Sequence, residues 1–508
     1  MRRIRIAFIS LAALATIALL SIAPRASGVA DPAQASGWPS YGQNDHHAGV
    51  SSVAAQALSK IHWSTPVDLN PPNGEIFIHY GSPLTTLANT TIVPVKVGDN
   101  SFQVEAHNGQ TGALLWKQTT DYQVPGADFT PGFYPVLDHN VLVIPAGGGT
   151  VLVRSQPDQA GGKLVRMAFY GIDNYKADPQ VYQNNVLIST PITADSAGNI
   201  YFGFVVLGSN PVGLQSGVAR ISNQGAGSWV SATTASKNAF NQIATSSGPA
   251  LSPDERKLYV VVTDPNTGTG ALLALNSTTL KTVGGAHLTD PSSGEDAIVY
   301  DASSSSPTVG PDGDVYFGVL ENPFPAHHNR GWLLHFNASL TQQKIPGSFG
   351  WDDTVSIVDA SLVSSYQGTS KYLLMSKYNN YAGAGGDGVN KIAVLDPNVT
   401  EHDPIIPSTL VMNEVLTIKG VTKDPDFPQL PNAVREWCIN TAAVDPITKS
   451  ILANSEDGKL YRWDLTTNTF TQKITLSTGV GEAYTPTVIG TDGTAYGIND
   501  AILDAIGQ

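Results

Sequence analysis

Ionisable and aromatic side chains gather immediately before several short strands that the sequence predicts. Polar groups that converge from separate elements are what a small-molecule or cation site needs. If the predicted strands begin at one end of a common axis, these side chains meet there. We therefore predict a ligand-binding site from the following nine residues: His79, Tyr80, Tyr134, Asp352, Asp353, Arg435, Glu436, Trp437 and Glu482.

The carboxylates of this set are open to several chemistries. Asp352, Asp353, Glu436 and Glu482 could supply oxygen ligands for Ca²⁺, although neighbouring aspartates point in opposite directions where the chain is extended. Two carboxylates could form an acid/base pair if they lie within a few ångströms with shifted pKa values. Arg435 could instead form a structural ion pair with Glu436. A polar, water-filled channel is the remaining alternative.

Other candidate motifs in the chain predict loops. The adjacent pairs His46-His47 and His327-His328 lack the spacing of metal ligands and are expected in solvated loops. The glycine-rich stretches at 146–149 and 382–388 are followed neither by Lys-Ser/Thr nor by a helix, so they are not phosphate-binding loops. The sequence contains no Gly-x-Ser-x-Gly and no His-Glu-x-x-His motif. Catalytic residues and metal ligands therefore stay unassigned.

Repeated phrases define the elements that must position these side chains. A Ser/Thr/Gly-Pro step is followed by a turn and then by an aromatic strand residue at a nearly constant distance. The clearest pairs are Pro191 with Tyr201, Pro249 with Tyr259, Pro307 with Tyr316, and Pro486 with Tyr496. A third and a fourth strand follow in most units. Four antiparallel strands repeated every 40 to 60 residues indicate propeller blades.

Eight such units can be counted, with first strands near the following residues: Pro83, Pro135, Pro191, Pro249, Pro307, Asp359, Thr441 and Pro486. The last unit supplies only three strands before Gln508. The segment Lys60 to Val67 has the pattern of a fourth strand, and its pairing with the last unit would close the ring and remove two exposed edges. The sequence thus predicts an all-β, eight-bladed propeller closed by an N-terminal strand. An irregular lead-in is expected over residues 36–57. The propeller domain then spans residues 58–508, with an insert at about 402–433.

Composition and charge restrict the class of protein further. The 508 residues include 49 glycines and 33 prolines, a composition that favours many short strands joined by turns. The net charge is −14, which disfavours nucleic-acid binding. Arg2, Arg3 and Arg5 precede an apolar run at 6–20, typical of a secretory signal peptide over 1–35. We expect a secreted or periplasmic protein with no membrane span after cleavage. The only cysteine, Cys438, cannot form an intramolecular disulfide.

The stretch from Ala106 to Trp116 carries a family resemblance. Its residues Ala106, Asn108, Thr111, Gly112 and Trp116 follow the phrase Ala-x-Asp-x-x-Thr-Gly-x-x-x-Trp, with Asn in place of Asp. In this phrase the chain resembles the quinoprotein-like β-propellers, typified by the pyrroloquinoline quinone (PQQ) dehydrogenases. The resemblance implies that Trp116 packs between blades. The dehydrogenases of this family typically carry adjacent cysteines over the cofactor, and a chain with one cysteine cannot form that pair.

The resemblance therefore favours the branch without dehydrogenase activity. We predict an exported, non-catalytic binding or scaffold propeller, with no cofactor, whose partner is a protein, a small molecule or a carbohydrate. The alternative is a quinoprotein dehydrogenase that binds PQQ and Ca²⁺ and oxidises alcohols or sugars. In that case Arg435 would meet the anionic cofactor and Trp437 would stack on it.

Overall fold

Eight antiparallel sheets arranged as blades confirm the predicted propeller. The structure is a computed structural model, and it describes residues 37–71, 80–124, 133–299, 305–481 and 484–508. The predicted signal peptide over 1–35 lies outside these residues. Among the residues described, no helix has the length and apolar character needed to cross a bilayer.

The first strand of the chain, β1 (Lys60–Pro66), belongs to the last blade. Blades 1 to 4 then follow in chain order. Blade 1 contains β2 (Leu84–Thr85), β3 (Thr90–Gly98), β4 (Ser101–Asn108) and β5 (Leu114–Thr120). Blade 2 contains β6 (Val136–Asp138), β7 (Val141–Ala146), β8 (Thr150–Ser155) and β9 (Leu164–Ala168). In blades 3 and 4 the first strand is split in two. Blade 3 contains the split strand β10 (Val186–Ile188) and β11 (Thr193–Ala194), then β12 (Ile200–Val206), β13 (Gly217–Ile221) and β14 (Gly227–Ser231). Blade 4 contains the split strand β15 (Gln242–Ile243) and β16 (Ala250–Leu251), then β17 (Lys257–Asp264), β18 (Thr269–Asn276) and β19 (Thr282–His287).

Blades 5 to 8 complete the ring. Blade 5 contains β20 (Thr308–Val309), β21 (Val315–Val319) and β22 (Trp332–Phe336), with isolated bridges from β22 to residues 343–347 in the fourth position. Blade 6 contains β23 (Ser356–Asp359), β24 (Tyr372–Tyr378), β25 (Lys391–His402) and β26 (Leu410–Lys419). Blade 7 contains β27 (Ala443–Asp445), β28 (Ser450–Ser455), β29 (Lys459–Asp464) and β30 (Thr469–Thr475). Blade 8 contains β31 (Val488–Ile489), β32 (Ala495–Asn499), β33 (Ile502–Gly507) and β1.

Helices are short and lie between blades or at blade edges. They are α1 (Ile172–Ala177), α2 (Pro179–Asn185) and α3 (Ala232–Ala235), with 3₁₀ turns at Gly147–Gly149, Ala360–Leu362 and Ala382–Ala384. Burial follows strand position. The middle strands are buried on both faces, as in β21, whereas outer strands such as β19 and β30 alternate between half-buried and exposed residues. Adjacent blades therefore pack face to face, and the outer edge meets solvent.

The turn phrase of blade 1 has the packing role that the resemblance implied. Asn108 Oδ1 accepts hydrogen bonds from the backbone N–H of Thr111 at 3.0 Å and from its hydroxyl at 3.0 Å. Gly112 adopts a left-handed φ of 71°. The indole of Trp116 donates to the Pro157 carbonyl of blade 2 at 2.7 Å, and the Arg154 guanidinium lies 3.9 Å from the ring centroid. Trp116 thus fastens blade 1 to blade 2.

The same kind of contact closes the ring. β1 pairs with β33, and the Trp63 side chain reaches from this strand to blade 1. Its indole donates to the Gly109 carbonyl at 2.8 Å and stacks on His107 at 5.6 Å. A Cβ on Gly112 would lie 2.5 Å from the Trp63 ring, so only glycine fits there. Trp63 is therefore the counterpart of Trp116 at the closure between blades 8 and 1.

Residues 37–56, here called the lead-in, contact seven of the eight blades. The lead-in carbonyls of Pro39, Asp45, His46, Ala48 and Gly49 accept hydrogen bonds from Leu137, Leu251, Val309, Ile357 and Val444, at the first strands of blades 2, 4, 5, 6 and 7. Trp38 pairs with Thr85 of blade 1, and the Gln56 N–H donates to Gly493 of blade 8. The lead-in thus links the turn ends of the first strands around the ring.

Two sequence predictions are wrong in detail. The predicted insert at about 402–433 contains β26, which is the fourth strand of blade 6, so the irregular part is limited to residues 420–434. The histidine pairs are not simple solvated loops. His47 is buried and its Nδ1 lies 2.8 Å from the Pro307 carbonyl. His327 is buried, with Nε2 3.1 Å from Asp403 and its ring stacked on Trp332.

Candidate functional site

One end of the ring gathers residues from three blades, which are blades 6, 7 and 8. In each blade the first two strands are antiparallel, so residues that precede the first strand lie beside residues at the end of the second. Asp352 and Asp353 precede β23, and Lys377 lies near the end of β24. In blade 7, Glu436 precedes β27 and Glu456 follows β28. Strand direction alone therefore brings these side chains to one end of the axis.

Eight residues form this group, here called the axial cluster: Asp352, Asp353, Lys377, Tyr381, Glu436, Cys438, Glu456 and Tyr484. It contains four carboxyl groups and one amine. The cluster is therefore acidic, and it also presents two phenol rings.

Lys377 is the only basic residue of the axial cluster, and it is already paired. Its side chain is fully buried, and Nζ donates to Asp352. Asp353 accepts hydrogen bonds through Oδ2 from the Ser376 hydroxyl at 2.7 Å and from the Lys377 N–H at 3.2 Å. Both aspartates thus face Lys377, and the opposite orientation expected for an extended segment does not occur. Asp352 has a left-handed φ of 49°, uncommon for a residue with a side chain.

In blade 7, the carboxyl group of one glutamate of the cluster bonds to the backbone of the other. Glu456 accepts from the Glu436 N–H at 2.9 Å and from the Cys438 thiol at 3.3 Å. The Glu436 carboxyl group is half-buried, and among the described residues it accepts no hydrogen bond. Of the four carboxyl groups, Glu436 is therefore free to receive a ligand group.

Burial raises the pKa of several acidic groups in this cluster and so favours their protonated forms. Burial, followed by the neighbouring Glu456, raises the pKa of Glu436 to about 8. Burial raises the pKa of Asp353 to about 7, against the opposing effect of Lys377. For Lys377, burial alone would lower the pKa, but Asp352 and Asp353 more than offset it and the net direction is upward. Burial also raises the pKa of the Cys438 thiol far above its ordinary value. Glu436 is thus neutral at pH 7.

One set of side chains in the cluster has a metal-compatible geometry. Ligand atoms of Glu436, Cys438 and Glu456 all lie within 4.8 Å of one another. A sulfur ligand beside two carboxylates suits zinc and other borderline metals better than Ca²⁺, which prefers oxygen ligands. The protonated thiol would have to lose its proton to bind an ion.

Arg435 and Trp437 flank Glu436 in sequence, but their direct contacts are with residues outside the axial cluster. Arg435 forms ion pairs with Asp424 at 3.2 Å and Asp426 at 2.6 Å, in the irregular 420–434 segment. It therefore does not pair with Glu436, which was one of the sequence alternatives. Trp437 is fully buried and packs against Tyr461 and Phe470. Trp437, which the sequence suggested as a stacking platform, is thus a core residue. Its chain neighbours Glu436 and Cys438 belong to the axial cluster, but its own side chain does not.

The other predicted site residues lie apart from the cluster or outside the described residues. Tyr80 is buried at blade 1, where its hydroxyl donates to Asp68 at 3.0 Å. Tyr134 is buried at blade 2, with its ring edge-on to Tyr41 of the lead-in at 5.6 Å. His79 and Glu482 lie outside the described residues.

Five members of the cluster were not in the predicted set: Lys377, Tyr381, Cys438, Glu456 and Tyr484. Only the residues before first strands were considered, whereas Lys377 and Glu456 come at the ends of second strands. The strand direction could have predicted that Lys377 and Glu456 belong to the site. In an antiparallel blade the end of the second strand must lie beside the start of the first.

Comparison with solved structures finds proteins of similar fold. A europium-containing methanol dehydrogenase matches with a TM-score of 0.54 and 9% identity, over 92% of this chain and 91% of its own. The quinohemoprotein alcohol dehydrogenase from Comamonas testosteroni matches with a TM-score of 0.51 and 10% identity, over 93% of this chain and 77% of its own. At these identities the likeness shows the fold alone, which is a β-propeller.

A weaker match is BamB from Moraxella catarrhalis, with a TM-score of 0.42 and 12% identity, over 88% of this chain and 99% of its own. This score carries no argument about function. No protein-family profile and no curated protein sequence matches the chain.

Proposed function

We propose that this protein is an exported, non-catalytic binding propeller whose axial cluster binds a small organic cation. The observation that supports the proposal is the composition of the cluster, in which four carboxyl groups and two tyrosines surround one ammonium group. Carboxylates and aromatic faces together are the usual environment of a bound ammonium ion. The Lys377 amine, 5.6 Å from the Tyr484 ring centroid, already occupies such an environment.

Glu436 is the group that meets the ligand in this proposal. Its carboxyl group has a pKa of about 8 and accepts no hydrogen bond among the described residues. A cation that binds beside it favours the ionised carboxylate, so binding releases a proton near neutral pH. Affinity for the cation is therefore expected to rise between pH 6 and pH 8.

The described residues do not form a suitable site for PQQ, which is a flat polyanion. Lys377 is buried and paired with Asp352, and Arg435 is paired with two aspartates. Trp437 cannot stack on a cofactor because its ring is inside blade 7. A polyanion in the cluster would meet four carboxyl groups and no unpaired amine, so its own negative charge would stay uncompensated, which is costly at a site shielded from water. This electrostatic mismatch is why we favour the binding propeller over the dehydrogenase.

Export is part of the proposal and rests on the sequence. The basic start and apolar run at 1–20 are typical of a signal peptide, and the acidic composition disfavours nucleic acid as a partner. Purification of the protein from the periplasm or medium, with N-terminal sequencing of the mature chain, tests this element. An intact N-terminus on cytoplasmic protein would contradict it.

Calorimetric titration with putrescine and spermidine, and with uncharged 1,4-butanediol, tests the binding function. We expect the amines to bind and the diol not to bind, and Glu436→Gln to weaken amine affinity about tenfold or more. Glu401→Gln is the matched control, because burial also raises the pKa of Glu401 but the residue lies in β25, away from the cluster. Equal affinity for the amines and the diol, or equal loss in both variants, would contradict the proposal.

A further inference from the structure

The connection between blades 2 and 3 contains a groove that the axial function does not use. Helices α1 and α2 fill this connection, and a cavity of about 540 Å³ lies between α1 and β14 of blade 3. Its walls include Tyr170, Gly171, Asn174, Val212, Ser228 and Trp229; these residues are here called the helix groove. The volume is in the range of ligand sites, about 300–1,000 Å³. The groove lies in blades 2 and 3, whereas the axial cluster comes from blades 6 to 8.

Packing fixes the aromatic walls of the helix groove. The Tyr170 hydroxyl donates to the Gly148 carbonyl at 2.6 Å, and its ring stacks on Tyr182 at 4.5 Å. Trp229 is half-buried and lies edge-on to Phe204 at 6.2 Å. Rings that are already held in place lose little conformational entropy when a ligand binds. The groove is therefore pre-formed.

Polar atoms of the groove have unused hydrogen-bonding capacity. The Asn174 amide donates to the Tyr170 carbonyl at 2.6 Å, and its Oδ1 accepts no hydrogen bond among the described residues. The Ser228 hydroxyl is buried, and no residue in the described ranges bonds to it. The Trp229 indole N–H is likewise unbonded within the described part of the chain. A purely apolar ligand would leave these groups without partners, at a cost in affinity.

The groove also carries no charge. None of its lining side chains is acidic or basic, although the chain as a whole has a net charge of −14. An ionic ligand would find no counter-charge here and would have to lose its hydration without compensation. The lining thus selects against both cations and anions.

We propose that the helix groove binds a neutral carbohydrate. A sugar ring offers apolar C–H faces to Tyr170 and Trp229 and hydroxyl groups to Asn174 and the indole N–H. This combination of aromatic surface, neutral donors and neutral acceptors satisfies the groove atoms that apolar and ionic ligands would leave unpaired. The site goes beyond the axial function, because it uses other blades and a ligand of different charge.

Titration of the mature protein with an oligosaccharide panel tests the proposal, by calorimetry and by tryptophan fluorescence. The neutral probes are the hexamers of cellulose, starch, xylan and chitin. The charged probe is an oligogalacturonate, and the apolar probe is a leucine-rich peptide. We expect at least one neutral hexamer to bind at low-millimolar concentration or below, with neither the charged nor the apolar probe competing.

Variants locate the binding. Asn174→Ala removes a polar group from a short surface helix and is expected to weaken saccharide binding about fivefold or more; Trp229→Ala is expected to abolish it. Gln180→Ala on α2 is the matched control, because its amide bonds only to Asn184 outside the groove. Circular dichroism and the melting temperature check folding, and Asn174→Ala keeps the test valid if Trp229→Ala does not fold.

Four outcomes would overturn this assignment. They are no binding of any neutral hexamer, preferred binding of the charged or apolar probe, binding unaffected by Asn174→Ala, and equal loss in Gln180→Ala. Glu436→Gln is expected to bind the saccharide with unchanged affinity, so that failure of the axial proposal and failure of this one remain distinguishable.

Discussion

Glu436 and Asp353 hold protons at a pH at which carboxyl groups in water have lost theirs. The cause is burial, which disfavours the charged form, together with nearby carboxylates. Such shifts cluster at functional sites, although structural groups show them as well. In this protein the two residues share the end of the ring at which Lys377 is the one amine of the cluster. The proton content of the cluster therefore sets its net charge.

Glu436→Gln is expected to stabilise the protein at alkaline pH. The folded pKa of about 8 lies above the ordinary glutamate value of 4.5. The wild-type free energy of unfolding therefore falls as pH rises between these values and is constant above them. Glutamine removes this fall. We expect a gain on the order of 3–5 kcal/mol at pH 9 and none at pH 4. Urea unfolding at both pH values checks it, and an equal effect at both would contradict the assigned pKa.

Gly112→Ala is expected to destabilise the ring closure. The new methyl group would collide with the Trp63 ring at 2.5 Å, and the residue would keep a φ of 71°. A loss on the order of 2–3 kcal/mol follows from strain and displaced packing. Gly161→Ala is the matched control, because no atom lies within 4 Å of its added Cβ. Chemical denaturation measures both, and equal losses would contradict the role of Gly112.

At the scale of elements, the lead-in differs from an ordinary N-terminal extension. Its carbonyls bond to the first strands of successive blades, so the segment ties together elements far apart in sequence. The His47 ring is part of this contact. Its Nδ1 lies 2.8 Å from the Pro307 carbonyl, which requires the N–H on that nitrogen, and Tyr41 packs against it at 5.1 Å.

Acidification is expected to loosen the lead-in. Burial lowers the pKa of His47 to about 4, below its ordinary value of 6.5. The unfolded state therefore binds more protons between these values, and stability falls as pH drops from 6.5 to 4. His47→Gln keeps a donor for Pro307 and is expected to flatten this part of the stability profile. Thermal unfolding from pH 4 to 7 checks it. A variant with the wild-type pH profile would contradict the role of His47.

The elements were more predictable than the site, for a physical reason. Turn residues such as Asn108 and Gly112, and the recurring first-strand prolines, specify local geometry, so the eight blades and the closing strand could be read from sequence. The pairing of Lys377 with Asp352, and of Arg435 with Asp424, depends on which loops meet at one end of the ring. Burial of Trp437, next to the half-buried Glu436, likewise depends on packing against blade 7. Sequence spacing does not determine these contacts.

At the scale of the whole molecule, stability depends on joining the last blade to the first. β33 has β32 on one side and β1 on the other, so loss of β1 leaves an unpaired edge. Trp63 adds the contact that fastens blade 8 to blade 1. The ring is therefore held closed by a strand that lies more than 400 residues away from its partner in the chain.

A chain that starts at residue 68 is expected to lose this closure. It lacks both the lead-in and β1, so we expect a much lower melting temperature and self-association through the exposed edge of β33. A chain that starts at Gly37 is the control, since it retains both elements. Analytical ultracentrifugation and calorimetry measure the difference. A monomeric truncated chain as stable as the control would contradict the role of β1.

The central proposal is that this propeller acts as a binding protein and not as a PQQ-dependent dehydrogenase. Titration of the purified protein with PQQ and Ca²⁺ tests it most directly, read by the absorbance of bound quinone and by dye reduction with a panel of alcohols and sugars. The acidic axial cluster predicts no binding at tens of micromolar and no dye reduction. Saturable, Ca²⁺-dependent quinone binding with dye reduction that Glu436→Gln abolishes would contradict the claim.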